Sequence, residues 1–318
     1  KIVLIGEDKQ LDAIERAGAL RYLSQPEILG TTRIETIQRQ RSVWAKKSVA
    51  NFRDGNAHLA LKDYTIRGLL TFSKDSLSTK ESLISKWDLY RKNNPDKKTL
   101  VLAQRWADVG ELNSLIRAKL QNEGKVSKQE IETICSVGEN HIKYKLAVGE
   151  RIKLTKNDYQ MGFTNGDLGT ITSLAKQRNG TIDFKIKLDT GKDLAFNSSH
   201  YSNEKGYVYL TQAYALTVYS SQGLTVDGDV FVYYTSGMDR AHSYVACSRH
   251  KDNCHIFANT KELTELIPSY KKGLSVDENL MDVLAKSMSS DERKKLAIEH
   301  LQSRGNIKEI DFCIEQNI

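Results

Sequence analysis

The chain is short of cysteine and pairs none of it. Cys135, Cys247, Cys254 and Cys313 stand far apart with no C-x-x-C spacing, which excludes a disulfide framework and the common zinc-site patterns. No run of 18 apolar residues and no secretory leader pattern occurs, and the mean hydropathy is −0.49. No membrane partner is therefore expected, and the reducing cytoplasm is the expected compartment. The seven histidines form no His-x-His or other cluster, so no metal site is expected. Also missing is the phosphate-cradling pattern G-x-x-x-x-G-K-[ST]. Gly124-Lys125 and Gly191-Lys192 lack both the upstream glycine and the hydroxyl that the cradle needs.

What is present is a chain of 318 residues, long enough for roughly two ordinary domains. Lys and Arg outnumber Asp and Glu by 47 to 40, giving +7 and a pI near 9.0. That balance fits a polyanionic partner and equally fits many soluble proteins. The first residue is Lys1, directly inside the strand-like "KIVLIG", and the expectation is a chain that starts within a larger protein.

The apolar pattern along the chain predicts an α/β rhythm. "KIVLIG" reads as a short buried strand, followed by a helix carrying Leu11, Ile14 and Leu20. Ile34 to Tyr64 reads as helical with Gly55 as a stop, and Ser78 with Glu81 has capping-box spacing before a helix through Leu83, Ile84, Trp87 and Tyr90. "KTLVLA" (98–103) reads as a strand leading into a helix through Val109, Leu112, Ile116 and Leu120. Strand, helix, strand argues for a parallel layer. Between about 148 and 200 the pattern shifts to short alternating segments separated by Asn165-Gly166, Asn179-Gly180 and Thr190-Gly191. These predict a small antiparallel β-barrel. The α/β rhythm then returns through "DVFVYY" and "CHIFA", and helices are expected around "LMDVLAKSM" and "DERKKLAIEHL".

One polar knot interrupts that second α/β stretch, in "LTVYSSQGLTVDGDVFVYY" (216–234). If a helix starts at Thr217, that residue is a natural N-cap, and the turn from Val218 to Gln222 offers hydroxyls, an amide and unpaired backbone N–H groups to phosphate. An ordinary strand-to-helix turn, with the hydroxyls satisfying backbone, accounts for the same residues.

"YALTVYSSQGLTVD" followed by "MDRAHSYVACSRHKD" resembles motifs V and VI of superfamily-1 DNA helicases, in the form found in conjugative relaxase-helicases (TraA/TraI-like). "LIGEDKQLDAIERAGALR" resembles motif III and "IETIQRQRSVWAKKSVANFRDG" resembles motif IV, in the same order as in that family. The resemblance covers about residues 1 to 262. It implies a RecA-like parallel sheet lobe with an inserted small antiparallel β-barrel and a helical C-terminal tail. The implied boundaries are 1–27 for the end of a first lobe, 28–147 and 205–262 for the second lobe, 148–204 for the barrel and 263–318 for the tail.

By the same resemblance Arg249 in "CSRH" matches the motif VI arginine finger, Arg39 in "QRQ" the motif IV arginine, and Gln10 the motif III glutamine that senses nucleotide. Arginine suits that task because its planar fork stays protonated and holds two phosphate oxygens at once. Each of the three is also at home as a solvated helix residue. Gly223 and Thr225 would lie toward nucleotide, and Thr217, Ser221 and Gln222 toward the DNA backbone. Tyr219 and Ser220 stand where the family has His and Lys, so Tyr219 would stack on a base or ribose, and Glu7 stands where the family has Asp. Asp227 is expected to cap a turn. Arg105 and Trp106 would meet single-stranded DNA through charge and stacking, although the core is the commoner place for a tryptophan.

The resemblance implies ATP and Mg2+ as cofactors, bound mainly by a lobe that the chain lacks, and single-stranded DNA with an upstream helicase lobe or relaxase domain as partners. The expected function is the C-terminal motor half of an ATP-dependent helicase of conjugative transfer, inactive alone. A degenerate single-stranded nucleic-acid-binding module without ATPase activity is the alternative, and another superfamily-1 helicase, of repair or recombination, is a third.

Overall fold

The computed structural model describes residues 3–12, 18–26, 28–29, 31–267, 276–293, 296–297 and 299. It begins with α1 (Ala19–Leu23), α2 (Val43–Arg53), α3 (Ala57–Ile66), β1 (Leu70–Ser73), α4 (Ser76–Asn93), β2 (Lys98–Ala103) and α5 (Trp106–Asn122). Next come β3 (Glu130–Val137), β4 (Asn140–Ala147), β5 (Arg151–Leu154), β6 (Leu168–Lys176), β7 (Ile182–Leu188), β8 (Asp193–Asn197) and β9 (Leu210–Gln212). The rest comprises β10 (Ala215–Thr217), β11 (Gly228–Tyr234), α6 (Arg240–Cys247), β12 (Cys254–Asn259), α7 (Thr260–Glu265) and α8 (Val276–Ser289). Two compact units result. The first takes Lys1–Thr79, Asn94–Thr99 and Ser221–Ile318, and the second takes Lys80–Asn93 and Leu100–Ser220.

In the first unit β12 lies between β1 and β11, all parallel, with Ile256 opposite both Leu70 and Val232. Every residue of β11 and β12 is buried. Parallel strands covered on both faces are expected to read as unbroken apolar runs, as "VFVYY" and "CHIFA" do. Helix α2 packs on α3 and α6, and Phe52 meets Tyr64 edge-to-face with centroids 5.6 Å apart. Gly55 has φ +79, a left-handed position that ends α2 at low steric cost.

In the second unit β2 and β10 pair in parallel, with Thr217 opposite Ala103. An antiparallel sheet of order β8-β7-β6-β5-β9 follows its own core, which includes Ile152, Ile171, Phe184, Ile186, Phe196 and Leu210. Strict alternation in β7 buries Ile182, Phe184, Ile186 and Leu188 while Lys185 and Lys187 face water. Phe184 and Phe196 stack across β7 and β8 at 5.2 Å. The RecA-like parallel α/β class with an antiparallel insert is therefore what the chain forms.

Several local expectations give way. Val3 to Gly6 form no strand, and Val3, Leu4 and Ile5 are exposed; among the described residues no strand pairs with them, and a strand without partners leaves its backbone groups to water. Residues 34–42 are not helical, so the helix expected from Ile34 begins at Val43. No helix starts at Thr217; a single 3-10 turn, Tyr219–Ser221, follows β10. The cap of α4 is Asp75, whose carboxylate accepts from the Ser78 amide at 2.9 Å while the Asp75 amide donates to Ser78 Oγ at 3.1 Å. Asp227 caps no turn but pairs with Arg41 and, at 3.6 Å, with Lys97. The β3–β4 hairpin lies where no strand was expected. The helix expected around "LMDVLAKSM" is α8, whereas Ile14 and much of "DERKKLAIEHL" lie outside the described residues.

Gly149 turns the chain close against the backbone of Lys125 and Val126. Its φ is +90, and an added Cβ would sit 2.1 Å from the Lys125 carbonyl oxygen. Gly149→Ala combines left-handed strain with a backbone clash, so it is expected to cost about 2 kcal/mol or more, read as a lowered urea midpoint with unchanged slope.

Candidate functional site

The nucleotide-directed candidates gather in the first unit, where α6 runs out. The segment from Ser248 to Lys251 leaves α6 and is held by four residues. Val226 N donates to Arg249 O at 2.9 Å, and Lys251 N returns to Val226 O at 2.9 Å. Arg41 N donates to Lys251 O at 2.9 Å. Gln40 Nε2 donates to Ser248 O at 3.0 Å and to His250 O at 2.9 Å, and Arg39 Nη1 reaches Ser248 O at 2.7 Å. Four consecutive carbonyls just past the end of α6 are thus satisfied, which fixes the path of the segment.

Arg249 points inward and is 1% exposed. Its Nε donates to Val245 O at 2.8 Å, its Nη2 to Ser248 Oγ at 2.7 Å and its Nη1, loosely, to Leu224 O at 3.5 Å. Arg39 is half-buried beside it and donates from Nε to Thr225 Oγ1 at 3.0 Å. Neither guanidinium has a carboxylate partner among the described residues. Burial, followed by repulsion from Arg39, pulls the Arg249 pKa down to about 10, and burial also lowers that of Arg39. Both stay protonated near neutrality. Two converging cations whose acceptors are all neutral make a place where an anion is stabilised.

Gln10 is half-buried in a turn after Glu7, rather than at a helix start. Next to it, Leu11 O accepts from Gln222 Nε2 at 3.3 Å, so the motif III and motif V segments meet. Glu7 is brought to α6, where Tyr244 Oη donates to its carboxylate at 3.4 Å. Gly223 is exposed with φ +86, and nothing stands near the place a Cβ would take; the glycine is required by backbone conformation rather than by crowding. Thr225 is exposed, while Ser221 is fully buried and presents no side chain at the surface.

The strand-directed candidates of the second unit gather at the carboxyl ends of β2 and β10. Thr217 is buried and its Oγ1 accepts from Ser220 N at 3.1 Å, while Val218 N donates to Ala103 O at 3.0 Å. This register sets the Tyr219 turn beside the Arg105–Trp106 loop. The crevice at the carboxyl ends of parallel strands is where α/β sheets take ligands. Tyr219 is 39% and Trp106 47% exposed, so Trp106 is not the core residue that tryptophan usually is. It borders an open groove of about 540 Å³ with Asn113, His141, Lys143, Tyr144 and Gln212. Arg105 is tethered by Asp108 at 2.7 Å, which Lys80 holds in turn at 2.7 Å.

Gln40 and Ser248 escaped the sequence reading. A glutamine between two arginines reads as a solvated polar run, and no spacing marks it as buried. His250 is fully buried beside Arg249, and among the described residues neither of its ring nitrogens has a hydrogen-bond partner. Among the described residues no cluster of His, Cys, Asp and Glu could hold a metal, and no helix is long and apolar enough to cross a membrane.

Burial drives the His250 pKa down to about 4, against the weaker pull of Asp229. The unfolded chain, with an ordinary imidazole near 6.5, binds more protons, so the neutral ring's contribution is present above pH 6.5 and is lost as pH falls toward 4. His250→Phe, if it folds, is expected to flatten the dependence of urea stability on pH between 7 and 5, with wild type losing up to about 2 kcal/mol more over that range.

Residues 1–75 match the AAA domain family, and residues 119–258 match the viral superfamily 1 RNA helicase core domain. The probable conjugal transfer protein TraA of Sinorhizobium fredii is 30% identical over 266 residues, covering 83% of this chain. The conjugal transfer protein TraA of Agrobacterium fabrum is 31% identical over 264 residues, covering 81%. The chain spans 22% of the length of each of these relatives. The crystal structure of Bacteroides Pif1 bound to ssDNA is 20% identical, with a TM-score of 0.47 over 72% of this chain and 51% of that one. By the helicase core match over residues 119–258 and the TraA matches over more than four-fifths of its length, the chain carries a superfamily-1 helicase domain similar to that of the TraA conjugal transfer proteins.

Proposed function

We propose that this chain is the second motor lobe of an ATP-dependent DNA helicase of conjugative transfer. It would supply arginines to the nucleotide and a stacking surface to single-stranded DNA. The observation that carries the reading is the pair Arg39 and Arg249, converging behind Thr225 and Ser248 without an acidic partner among the described residues. A buried cation left with neutral acceptors is poorly compensated, and an incoming phosphate supplies the missing charge. The cradle for MgATP is absent from these 318 residues, so the nucleotide would be held chiefly by another segment. The chain's own contribution would then be orientation and charge: Arg39 is fixed by Thr225 and Ser248, and Arg249 would exchange its loose bond to Leu224 O for a bond to a phosphate oxygen, supplying positive charge for phosphoryl transfer.

On the other unit Trp106 and Tyr219 offer exposed rings on which bases stack, with Arg105 and Lys143 near the backbone charge. One observation favours the second reading, a strand-binding module without a motor. Arg249 is nearly inaccessible and all three of its nitrogens already meet protein acceptors, as in a structural arginine.

Arg249→Ala in the full-length protein separates the two. On the motor reading it lowers DNA-stimulated ATP turnover by about 10³-fold or more and leaves single-strand affinity within a few fold. Retained turnover, or joint loss of turnover and binding, counts for the structural role. Trp106→Ala is expected to weaken single-strand binding by about 1–3 kcal/mol, measured by fluorescence anisotropy.

A further inference from the structure

Resting on the reading that Arg249 meets a nucleotide phosphate, we propose that Gln40 is a positioning residue for Arg249. Its side-chain amide clamps the two carbonyls that flank this residue and so sets where the guanidinium is presented.

Gln40 is 2% exposed, and its Nε2 donates to Ser248 O at 3.0 Å and to His250 O at 2.9 Å. The bonds straddle Arg249, so one planar amide spans the main chain on either side of it. The amide's orientation follows from its partners. Turned over, Oε1 would face two carbonyl oxygens and both bonds would be lost. In the orientation observed, Oε1 is buried without a partner among the described residues. A methionine or leucine would fill the volume without the stranded Oε1 but would leave His250 O without the donor it has in Gln40. What the amide adds is the pair of donors on the Arg249 backbone.

The same strand of contacts couples the two arginines. Arg39 Nη1 shares Ser248 O with Gln40, and Arg39 Nε holds Thr225 Oγ1, while Arg41 N ties Lys251 O. Residues 39 to 41 thus grip residues 248 to 251 as one unit, with Gln40 at the centre and no contact of its own to a ligand. Displacement of a reacting group by as little as about 1 Å costs on the order of 100-fold in rate. Loosening the clamp therefore acts on turnover rather than on ground-state binding.

The test uses the full-length protein with ATP and oligo-dT. Gln40→Met is expected to lower kcat on the order of 10- to 100-fold, with KM for ATP and oligo-dT affinity within about threefold. Gln40→Asn, one methylene shorter and able to reach a single carbonyl, is expected to fall between. In an Arg249→Ala background Gln40→Met should produce no further loss, because groups acting through one another are not additive. Wild-type kcat in Gln40→Met, full additivity with Arg249→Ala, or a matching fall in oligo-dT affinity would each overturn the role. If Gln40→Met does not fold, Gln40→Asn alone and in the Arg249→Ala background carries the same comparison. Wild-type turnover in Arg249→Ala would instead sink the phosphate reading itself, whatever Gln40 does.

Discussion

A guanidinium held inside protein, with no carboxylate partner among the described residues, is the constraint around which the first unit is arranged. Arg249 retains its proton despite burial, and everything it touches is neutral: the carbonyl at the end of α6, a serine hydroxyl and a turn carbonyl. Moving such a charge from water into protein costs several kcal/mol even after relaxation. The surrounding backbone offsets part of that by orienting carbonyl dipoles toward it. This requires a main chain that does not move. The bonds from Arg39, Gln40, Arg41 and Val226 to four successive carbonyls supply that rigidity.

The second unit is arranged by register rather than by charge. Pairing Thr217 with Ala103 brings the ends of β2 and β10 level, so two loops far apart in sequence open side by side. The Asp108 carboxylate, tied to both Lys80 and Arg105, fixes the start of α5 and hence the place of Trp106. An exposed indole at a strand's carboxyl end is costly to leave in water, and its neighbours form a groove lined with polar groups instead of a lid.

Much of this was legible in the sequence where one physical signal dominated. β2, β7, β11 and β12 follow from apolar runs or strict alternation, and α5 from its 3.6-residue period, because burial on one or both faces leaves that trace. The candidate arginines were legible through motif order. The misses share a cause, namely dependence on distant chain. "KIVLIG" has strand composition but no neighbour to pair with among the described residues. Residues 34–42 have helix-compatible composition, yet Gln40 and Arg41 are drawn into bonds with residues 248–252. The β3–β4 hairpin turns on Val137-Gly138-Glu139-Asn140, with Gly138 at φ +58, and its mixed charged and apolar residues hid the alternation. Gln40 could not have been singled out, since its burial is decided some 210 residues away.

The two units are interleaved along the chain. The backbone passes from one to the other after Thr79, Asn93, Thr99 and Ser220, and the second of these passages shortly precedes β2, which begins in one unit and ends in the other. No single cleavage point can therefore release either unit whole. A nick in the exposed Asn179-Gly180 turn would leave fragments that each still hold pieces of the antiparallel sheet, and a ribosome must complete Thr217 before β10 can join the second unit and Ser289 before α8 can join the first. Any attempt to transplant the groove beside Trp106 without the arginine cluster would need a rejoined, permuted chain rather than a truncation.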